Sequence, residues 1–238
     1  MRPAVGVQQN GSAPVTTTHL LVRYAKRGKM RFASHLDVAR AFERGVRRAG
    51  LPIAYSAGFT PHPKISYAGG APTGVASEAE YLSLTLTIRA EADSVREGLN
   101  AALPDGIDVI TVTEDSGGLP ASRLTASEWQ VALPGLPADN VVPVVRKFLA
   151  LTEAPVERLT SKGLRRMDAR AAVVSLNVLG DPSAGSALRM VVRHTVPSVR
   201  PDDVLNALRD VSDVFPAGQP LMTRLAQGSL GESGVVQL

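Results

Sequence analysis

The chain has 238 residues, enough for one large domain or for two small ones that each bury a core. It contains no cysteine, which excludes disulfides, thiolate zinc sites and cysteine-ligated iron–sulfur clusters. The net charge of +4 is unevenly distributed, because the segment from Arg23 to Tyr67 has ten basic and two acidic residues and a net charge of +8. This basic region favours a polyanionic partner such as nucleic acid. A solvated arginine-rich surface would give the same composition.

The N-terminal residues have no long apolar run, and no stretch of the chain is apolar over the length of a membrane span. We therefore expect a disordered tail at 1–18, a cytoplasmic protein and no membrane partner.

The first half of the chain alternates between strand and helix patterns. An apolar run at 19–27 predicts a strand, and Ser34 with Asp37 predicts the N-cap of a basic helix. The residues predicted to face the core from this helix recur at helical spacing: Leu36, Ala39, Phe42, Val46 and Ala49. Further strands are predicted at 52–57, 65–68, 78–89 and 107–113, and a second helix at 93–103. The resulting order, β-α-β-β-α-β, is typical of a ferredoxin-like unit.

The second half is predicted to repeat this plan. Strands are expected at 128–133, 155–160, 171–179, 187–195 and 215–225, with helices at 138–151 and 201–211. We predict an α+β protein with two ferredoxin-like units in tandem, each an antiparallel sheet with helices on one face. The predicted boundaries are 19–115 for the first domain, 116–126 for a linker, 127–226 for the second domain and 227–238 for a flexible C-terminus.

Candidates for catalysis are few. None of the four histidines has the spacing of a metal pair, and phosphate-binding, nucleophile-elbow and dinucleotide motifs are absent, so no metal or cofactor is expected. His35, in a first helical turn, and His62, between two prolines, are weak candidates, each with a structural alternative. Glu80, paired with Glu78, is a third, although we expect both carboxylates to pair with the neighbouring basic helix.

Candidates for binding RNA or a related substrate are basic or lie in the proline-rich loop. They are Arg31, Arg40, Arg44, Arg47, Arg48, Phe59, His62, Lys64, Lys162, Arg165, Arg166 and Arg170. Tyr55, Phe59, Tyr67 and Tyr81 are the aromatic residues expected to stack on bases.

The stretch from Arg31 to Tyr81 contains the runs SHLD, RRAGLPIAYSAGFTPHPKISYA and GVASEAEYL. These runs resemble the radical SAM-associated domain of unknown function, in its stand-alone bacterial form. The resemblance extends loosely to Val211 and departs from the usual pattern at Gly69–Gly70–Ala71, where a bulkier apolar residue is expected. It implies an accessory role beside a B12-binding radical SAM protein, whose cluster this cysteine-free chain cannot hold.

Three functional hypotheses follow. The first is a non-catalytic accessory protein that binds RNA, such as tRNA or rRNA, for a partner radical enzyme. The second is an RNA-processing or RNA-modifying enzyme that uses His62 or His35 with Lys64 and Glu80. The third is a protein–protein adaptor with an apolar docking surface. The composition and the resemblance favour the first over an enzyme.

Overall fold

The structure is a computed structural model that describes residues 17–115, 121–160, 163–181, 185–215, 220–231 and 234–237. The first half contains β1 (Thr18–Lys26), α1 (His35–Arg48), β2 (Ile65–Ala68), β3 (Ala76–Leu86), α2 (Ala92–Ala102) and β4 (Ile107–Glu114). The second half begins with β5 (Ala126–Pro134), α3 (Ala138–Ala150), β6 (Pro155–Thr160), β7 (Gly163–Asp168) and α4 (Ala169–Ala172). It ends with β8 (Val173–Asp181), β9 (Gly185–Arg193), α5 (Pro201–Val211), β10 (Met222–Gly231) and β11 (Gly234–Gln237). The predicted α+β class is confirmed.

Both halves of the chain contribute to one nine-stranded sheet. Its main path runs β4-β1-β3-β10-β5-β9-β8, while β2 pairs with β3 and β11 pairs with β10. All of these pairings are antiparallel except the one between β3 and β10, which is parallel and joins Ala76 to Thr223 and Ser77 to Arg224. Strands β6 and β7 form a separate hairpin. The two halves therefore meet at a parallel pairing that is only two residue pairs long.

Each half has its own hydrophobic core between its strands and its helices. In the first half Phe42 of α1 and Leu99 of α2 are buried with Leu84 of β3. In the second half Phe148 of α3 and Leu205 of α5 are buried with apolar residues of β5, β8 and β9. None of the described helices is long and apolar enough to cross a membrane.

The basic helix α1 begins as predicted. Ser34 accepts a hydrogen bond from the backbone N–H of Asp37, and the Asp37 carboxylate accepts one from the backbone N–H of Ser34, which completes a capping box. The prediction that Leu36 faces the core was wrong, because its side chain is 63% exposed. The buried face is centred on Val38, Phe42 and Val46, and residues two apart on a helix do not share a face.

Two other predictions also needed correction. The expected strand at 52–57 is reduced to isolated bridges from Ile53 to Leu86 and from Tyr55 to Pro63, since Pro52 within the segment and Pro63 opposite Tyr55 provide no backbone donor. The expected flexible C-terminus instead contains the end of β10 and all of β11, which pair with each other. The stretch 228–234 consists mostly of glycine and serine, so it has no apolar pattern from which the strand could be predicted. Residues 1–16 of the predicted tail and 116–120 of the predicted linker lie outside the described residues.

Candidate functional site at the junction of the two halves

Two irregularities in strand pairing bring four polar residues together where β3 meets β10. In β3 the register against β1 shifts between Glu80 and Ser77, which leaves one extra residue on β3. In β10 the register against β5 shifts between Arg224 and Ala226, which again leaves one extra residue. A bulge reverses the side-chain alternation that follows it. Ser77 and Glu80 therefore share one face, as do Arg224 and Gln227.

Arg224 is the centre of this cluster. Its guanidinium forms an ion pair with Glu80 and donates hydrogen bonds to Ser77 Oγ at 3.2 Å, to the carbonyl of Gly69 at 2.6 Å and to Gln227 Oε1. Both ends of the ion pair are only 3% exposed. A buried charge of this kind persists only when it is paired and fully hydrogen-bonded. The Arg224 side chain also lies over the Trp129 ring, 5.5 Å from its centroid.

The loop Gly69–Pro72 covers the ion pair. The backbone N–H of Ala71 donates to both Glu80 carboxylate oxygens at 3.1 and 3.3 Å, and Lys26 Nζ donates to the carbonyls of Ala71 and Pro72 at 3.2 and 3.3 Å. Burial lowers the pKa of Lys26, and the nearby Arg224 adds to this effect while Glu80 opposes it. Gly69 has a φ of +57°, and a Cβ there would lie 2.8 Å from the Gln227 amide, so only glycine fits without displacing its neighbour.

Cavities lie on both sides of this loop. The smaller has a volume of about 230 Å³ and is lined by Tyr24, Lys26, His35, Val38, Gly70, Ala71 and Glu80. The larger has a volume of about 300 Å³, and its lining includes Gly69, Pro72, Trp129, His194, Arg224 and Gln227. Both cavities touch Gly70, so one short loop separates two pockets of small-molecule size.

A serine and a histidine are hydrogen-bonded at the wall of the larger cavity. His194 Nε2 lies 2.7 Å from Ser127 Oγ, and His194 Nδ1 lies 2.8 Å from the carbonyl oxygen of Leu124. A carbonyl oxygen only accepts, which assigns the ring proton to Nδ1 and makes Nε2 the acceptor of the serine hydroxyl. Burial lowers the pKa of His194, the hydrogen bond to the Leu124 carbonyl opposes this shift, and the nearby Arg224 adds to it, so the net effect favours the neutral imidazole.

The predicted binding arginines of α1 lie on the surface. Arg40, Arg44, Arg47 and Arg48 are all exposed, and none forms an ion pair with a described residue. Arg31 differs from them, because its guanidinium donates to the backbone carbonyls of Gly74 and Met222 at 2.8 and 3.1 Å. Arg31 thus holds the start of β3 against β10 as well as carrying charge.

The proline-rich loop stands apart from the buried cluster. Phe59 is fully exposed, and His62 and Lys64 are exposed as well. The loop is held by its backbone: Lys64 N–H donates to the Ala54 carbonyl at 2.8 Å, and Ser56 N–H to the His62 carbonyl at 2.9 Å. Of the three catalytic candidates, the structure brings together His35 and Glu80, which line the smaller cavity.

The prediction that Glu78 and Glu80 pair with the basic helix was wrong. Glu78 forms an ion pair with Arg27, at the end of β1, and Glu80 pairs with Arg224. Glu80 is therefore committed to the sheet junction, and within the part of the chain that the structure describes it forms no hydrogen bond or ion pair with His62, Lys64 or the arginines of α1.

Two of the four expected stacking residues are unavailable for stacking. Tyr81 is 1% exposed, in a cluster with Leu21 and Leu124 on the sheet face opposite the first-half core. Tyr67 is partly buried and lies edge-on to Phe42 and His35. Phe59 and Tyr55 remain exposed.

The second basic segment divides into exposed and structural residues. Arg165 and Arg166 are exposed on β7, whereas Arg170 donates to the carbonyls of Leu149 and Val173 at 3.2 Å each. Asp168 caps α4; although burial opposes its ionisation, hydrogen bonds from backbone N–H groups lower its pKa. Lys162 lies outside the described residues.

Several residues of the junction were missed by the sequence analysis: Lys26, Ser127, Trp129, His194, Arg224 and Gln227. The available signal was Arg224 and Gln227 within LMTRLAQGS, where the two large polar residues of a strand stand three apart. That spacing violates strand alternation unless a bulge intervenes.

Replacing Arg224 with Met is expected to lower the free energy of unfolding by about 3–5 kcal/mol, because it leaves the Glu80 carboxylate buried without its cation. Adding Glu80→Gln to that variant should recover part of the loss. Urea denaturation of the single and double variants measures both effects.

Arg89→Met is the matched control, since Arg89 pairs with Glu114 at an exposed position and should contribute at most about 1 kcal/mol. Equal losses in Arg224→Met and Arg89→Met would contradict a structural role for the buried pair.

The stability of the protein is expected to fall as the pH drops below about 6.5, the ordinary pKa of histidine. His194 has a lowered pKa in the folded state, so the unfolded state binds the proton first and gains stability from it. His194→Gln should weaken this pH dependence, as measured by thermal unfolding between pH 7.5 and 5. His62→Gln, which changes an exposed loop residue, should preserve it.

Comparison with known proteins places the chain in a family. No curated protein matches it. The family described as "Uncharacterized protein conserved in bacteria (DUF2344)" matches residues 19–201, which include α1, the Gly69–Pro72 loop, the basic hairpin and the histidine of the junction. This match covers well over half of the chain, and the protein accordingly belongs to this uncharacterized bacterial family.

Proposed function

We propose that the protein is a non-catalytic accessory protein that binds RNA through the exposed face of α1. The observation that carries this proposal is the set of four exposed arginines on that helix, none paired with a described carboxylate. Arg40 lies near enough to Asp37 to help lower the pKa of that carboxyl, but none of the four is held in an ion pair with a described residue. Exposed guanidinium groups of this kind are suited to phosphate oxygens, which they bind in a bidentate manner.

The spacing of these arginines suits an extended polyanion. From Arg40 to Arg48 the helix rises by about 12 Å, so the four side chains form a charged row rather than a point. Phe59, fully exposed on the proline-rich loop, is available to stack on an unpaired base. Arg165 and Arg166 offer a second basic surface on the hairpin.

We further infer that each half has a ferredoxin-like topology. In support, the strand order is β4-β1-β3-β2 in the first half and β10-β5-β9-β8 in the second, with the β6–β7 hairpin inserted after α3. Two domains at 19–115 and 127–226 follow from this proposal.

The partner we propose is a B12-binding radical SAM protein in the cytoplasm. The support is the resemblance of the stretch from Arg31 to Tyr81 to the radical SAM-associated domain. The absence of cysteine from the chain agrees with this arrangement, because the partner would have to hold the iron–sulfur cluster.

The geometry favours binding over acid–base catalysis. His35 and Glu80 share the smaller cavity, but the Glu80 carboxylate is engaged by Arg224 and by the backbone N–H of Ala71. A general base needs a free lone pair within reach of its substrate.

Replacing Arg40, Arg44 and Arg47 with Gln is expected to weaken RNA binding at every salt concentration. The slope of log K against log salt concentration should shrink by about 2 for single-stranded RNA, since each lost phosphate contact removes about 0.7. Filter binding or fluorescence anisotropy with tRNA, rRNA fragments and an unstructured oligonucleotide measures this slope.

The control replaces the same number of charges elsewhere. Arg89, Arg96 and Arg189 each pair with a carboxylate, so their triple Gln variant should keep most of the affinity and most of the slope. The proposal that RNA binds to α1 would be refuted if the RNA affinity of the wild type did not change with salt concentration. It would also be refuted if the control variant lost as much RNA affinity as the α1 variant.

The adaptor alternative has an apolar surface of its own. Leu159 and Leu164 face each other across the β6–β7 hairpin and are 79% and 61% exposed. The RNA proposal predicts that crosslinking and pull-down from cells recovers RNA with the wild type and loses it with the α1 variant. The adaptor alternative predicts that recovery of an iron–sulfur protein depends on Leu159→Ser with Leu164→Ser and not on the arginines.

A further inference from the structure

The larger cavity at the junction has the features of a ligand site. Its volume of about 300 Å³ is the space of roughly ten water molecules. Its apolar walls come from Val75, Trp129, Val192, Val199 and Met222. Binding sites for small molecules combine such walls with a few polar groups that orient the ligand.

One of the polar groups at the wall has no partner. Gln227 is fully buried, and its Nε2 has no acceptor among the described residues. The amide cannot satisfy itself by turning over, because Oε1 already accepts from Arg224. A buried N–H without an acceptor is unfavourable, so its position at a cavity wall points to an acceptor on a bound ligand.

The remaining polar lining fixes the chemistry further. Asp202, in the first turn of α5, lines the same cavity and supplies a carboxylate acceptor. Arg224 is neutralised by Glu80, and burial lowers the pKa of His194, which favours its neutral ring. Arg200 lines the cavity as well, and its positive charge acts on the Asp202 carboxyl beside it. The site therefore offers an amide donor and a carboxylate acceptor, and the charges of its lining balance as Arg224 with Glu80 and Arg200 with Asp202, which favours a neutral ligand over an anion.

We propose that this cavity binds a neutral heterocycle with a ring carbonyl next to a ring N–H, the edge that uracil and guanine present. The carbonyl accepts from Gln227 Nε2, the ring N–H donates to Asp202, and the planar ring lies among Trp129 and the apolar walls. The source is either a free nucleoside or an unpaired base of RNA, and the RNA source rests on the proposed function.

Trp129 is the single tryptophan of the chain, so its fluorescence reports on this cavity directly. The titrations use uridine, guanosine, adenosine and 3-methyluridine, which lacks the ring N–H, and a short uridine- and guanosine-containing RNA. We expect saturation with uridine or guanosine and at least tenfold weaker binding of adenosine and 3-methyluridine. No saturation with either lactam base, free or in RNA, would overturn the proposal, as would equal saturation with adenosine.

Two variants test the assignment of the site. Gln227→Glu keeps the oxygen that Arg224 binds and turns the amide donor into an acceptor, so the affinity should fall at least tenfold. Val199→Phe fills the cavity and should abolish saturation even if the first variant folds poorly. Retention of wild-type affinity by a folded Val199→Phe protein would refute the site.

The triple Gln variant of Arg40, Arg44 and Arg47 separates this inference from the proposed function. Its nucleoside titration should match that of the wild type, because these arginines do not line the cavity. If this variant loses RNA binding and keeps nucleoside binding, both the α1 surface and the cavity site are supported. Nucleoside binding by a wild type that shows no salt-dependent RNA binding supports the cavity alone, and the reverse pattern supports the α1 surface alone.

Discussion

The arrangement of the two halves depends on the buried ion pair between Arg224 and Glu80. The parallel pairing of β3 with β10 consists of two residue pairs, which is short for a connection between two cores. Arg224 extends that connection through side chains, since it bonds to Glu80 and Ser77 of β3 and to the Gly69 carbonyl of the loop before it. A desolvated pair contributes little net stability compared with an apolar contact, but it tolerates few alternative geometries. We infer that it favours one relative orientation of the halves, and Arg224 and Glu80 each line one of the two cavities at this junction.

Elements with strong local signals were predictable from the sequence. The capping box of Ser34 and Asp37 and the apolar stripe after it placed α1 within a residue or two, and Pro201 with Asp202 and Asp203 placed the start of α5. These signals lie within a single turn of a helix, where chain neighbours decide the conformation. The predicted strand at 52–57 was wrong for the complementary reason: a strand depends on partners across the sheet, and Pro52 and Pro63 provide no donor for that pairing.

The candidate site likewise contains residues that local sequence signals predict and residues that they do not. The α1 arginines were predictable because exposure and charge are local properties of an amphipathic helix. Arg224 and Glu80 are 144 residues apart, and each sits beside a bulge that reverses the alternation of its strand. A strict alternation of side chains along each strand does not place Arg224 and Glu80 on the same face of the sheet. Their contact depends on the register of the whole sheet. The end of β10, within LAQGSLG, is held by its pairing with β11, which the composition of small and polar residues did not predict.

The Gly69–Gly70–Ala71 loop connects the family resemblance to the cavities. A bulkier apolar residue is expected before the Pro72 turn, whereas Ala71 is small, lines the smaller cavity and packs against the second-half core. Gly69 cannot compensate, because its positive φ and the Gln227 amide 2.8 Å from its would-be Cβ exclude side chains there. At Gly70 a Cβ would meet Glu80 and His35 at 3.8 Å, an ordinary contact that a methyl group could fill. Small residues in this loop thus leave space for a cavity on each side of the ion pair.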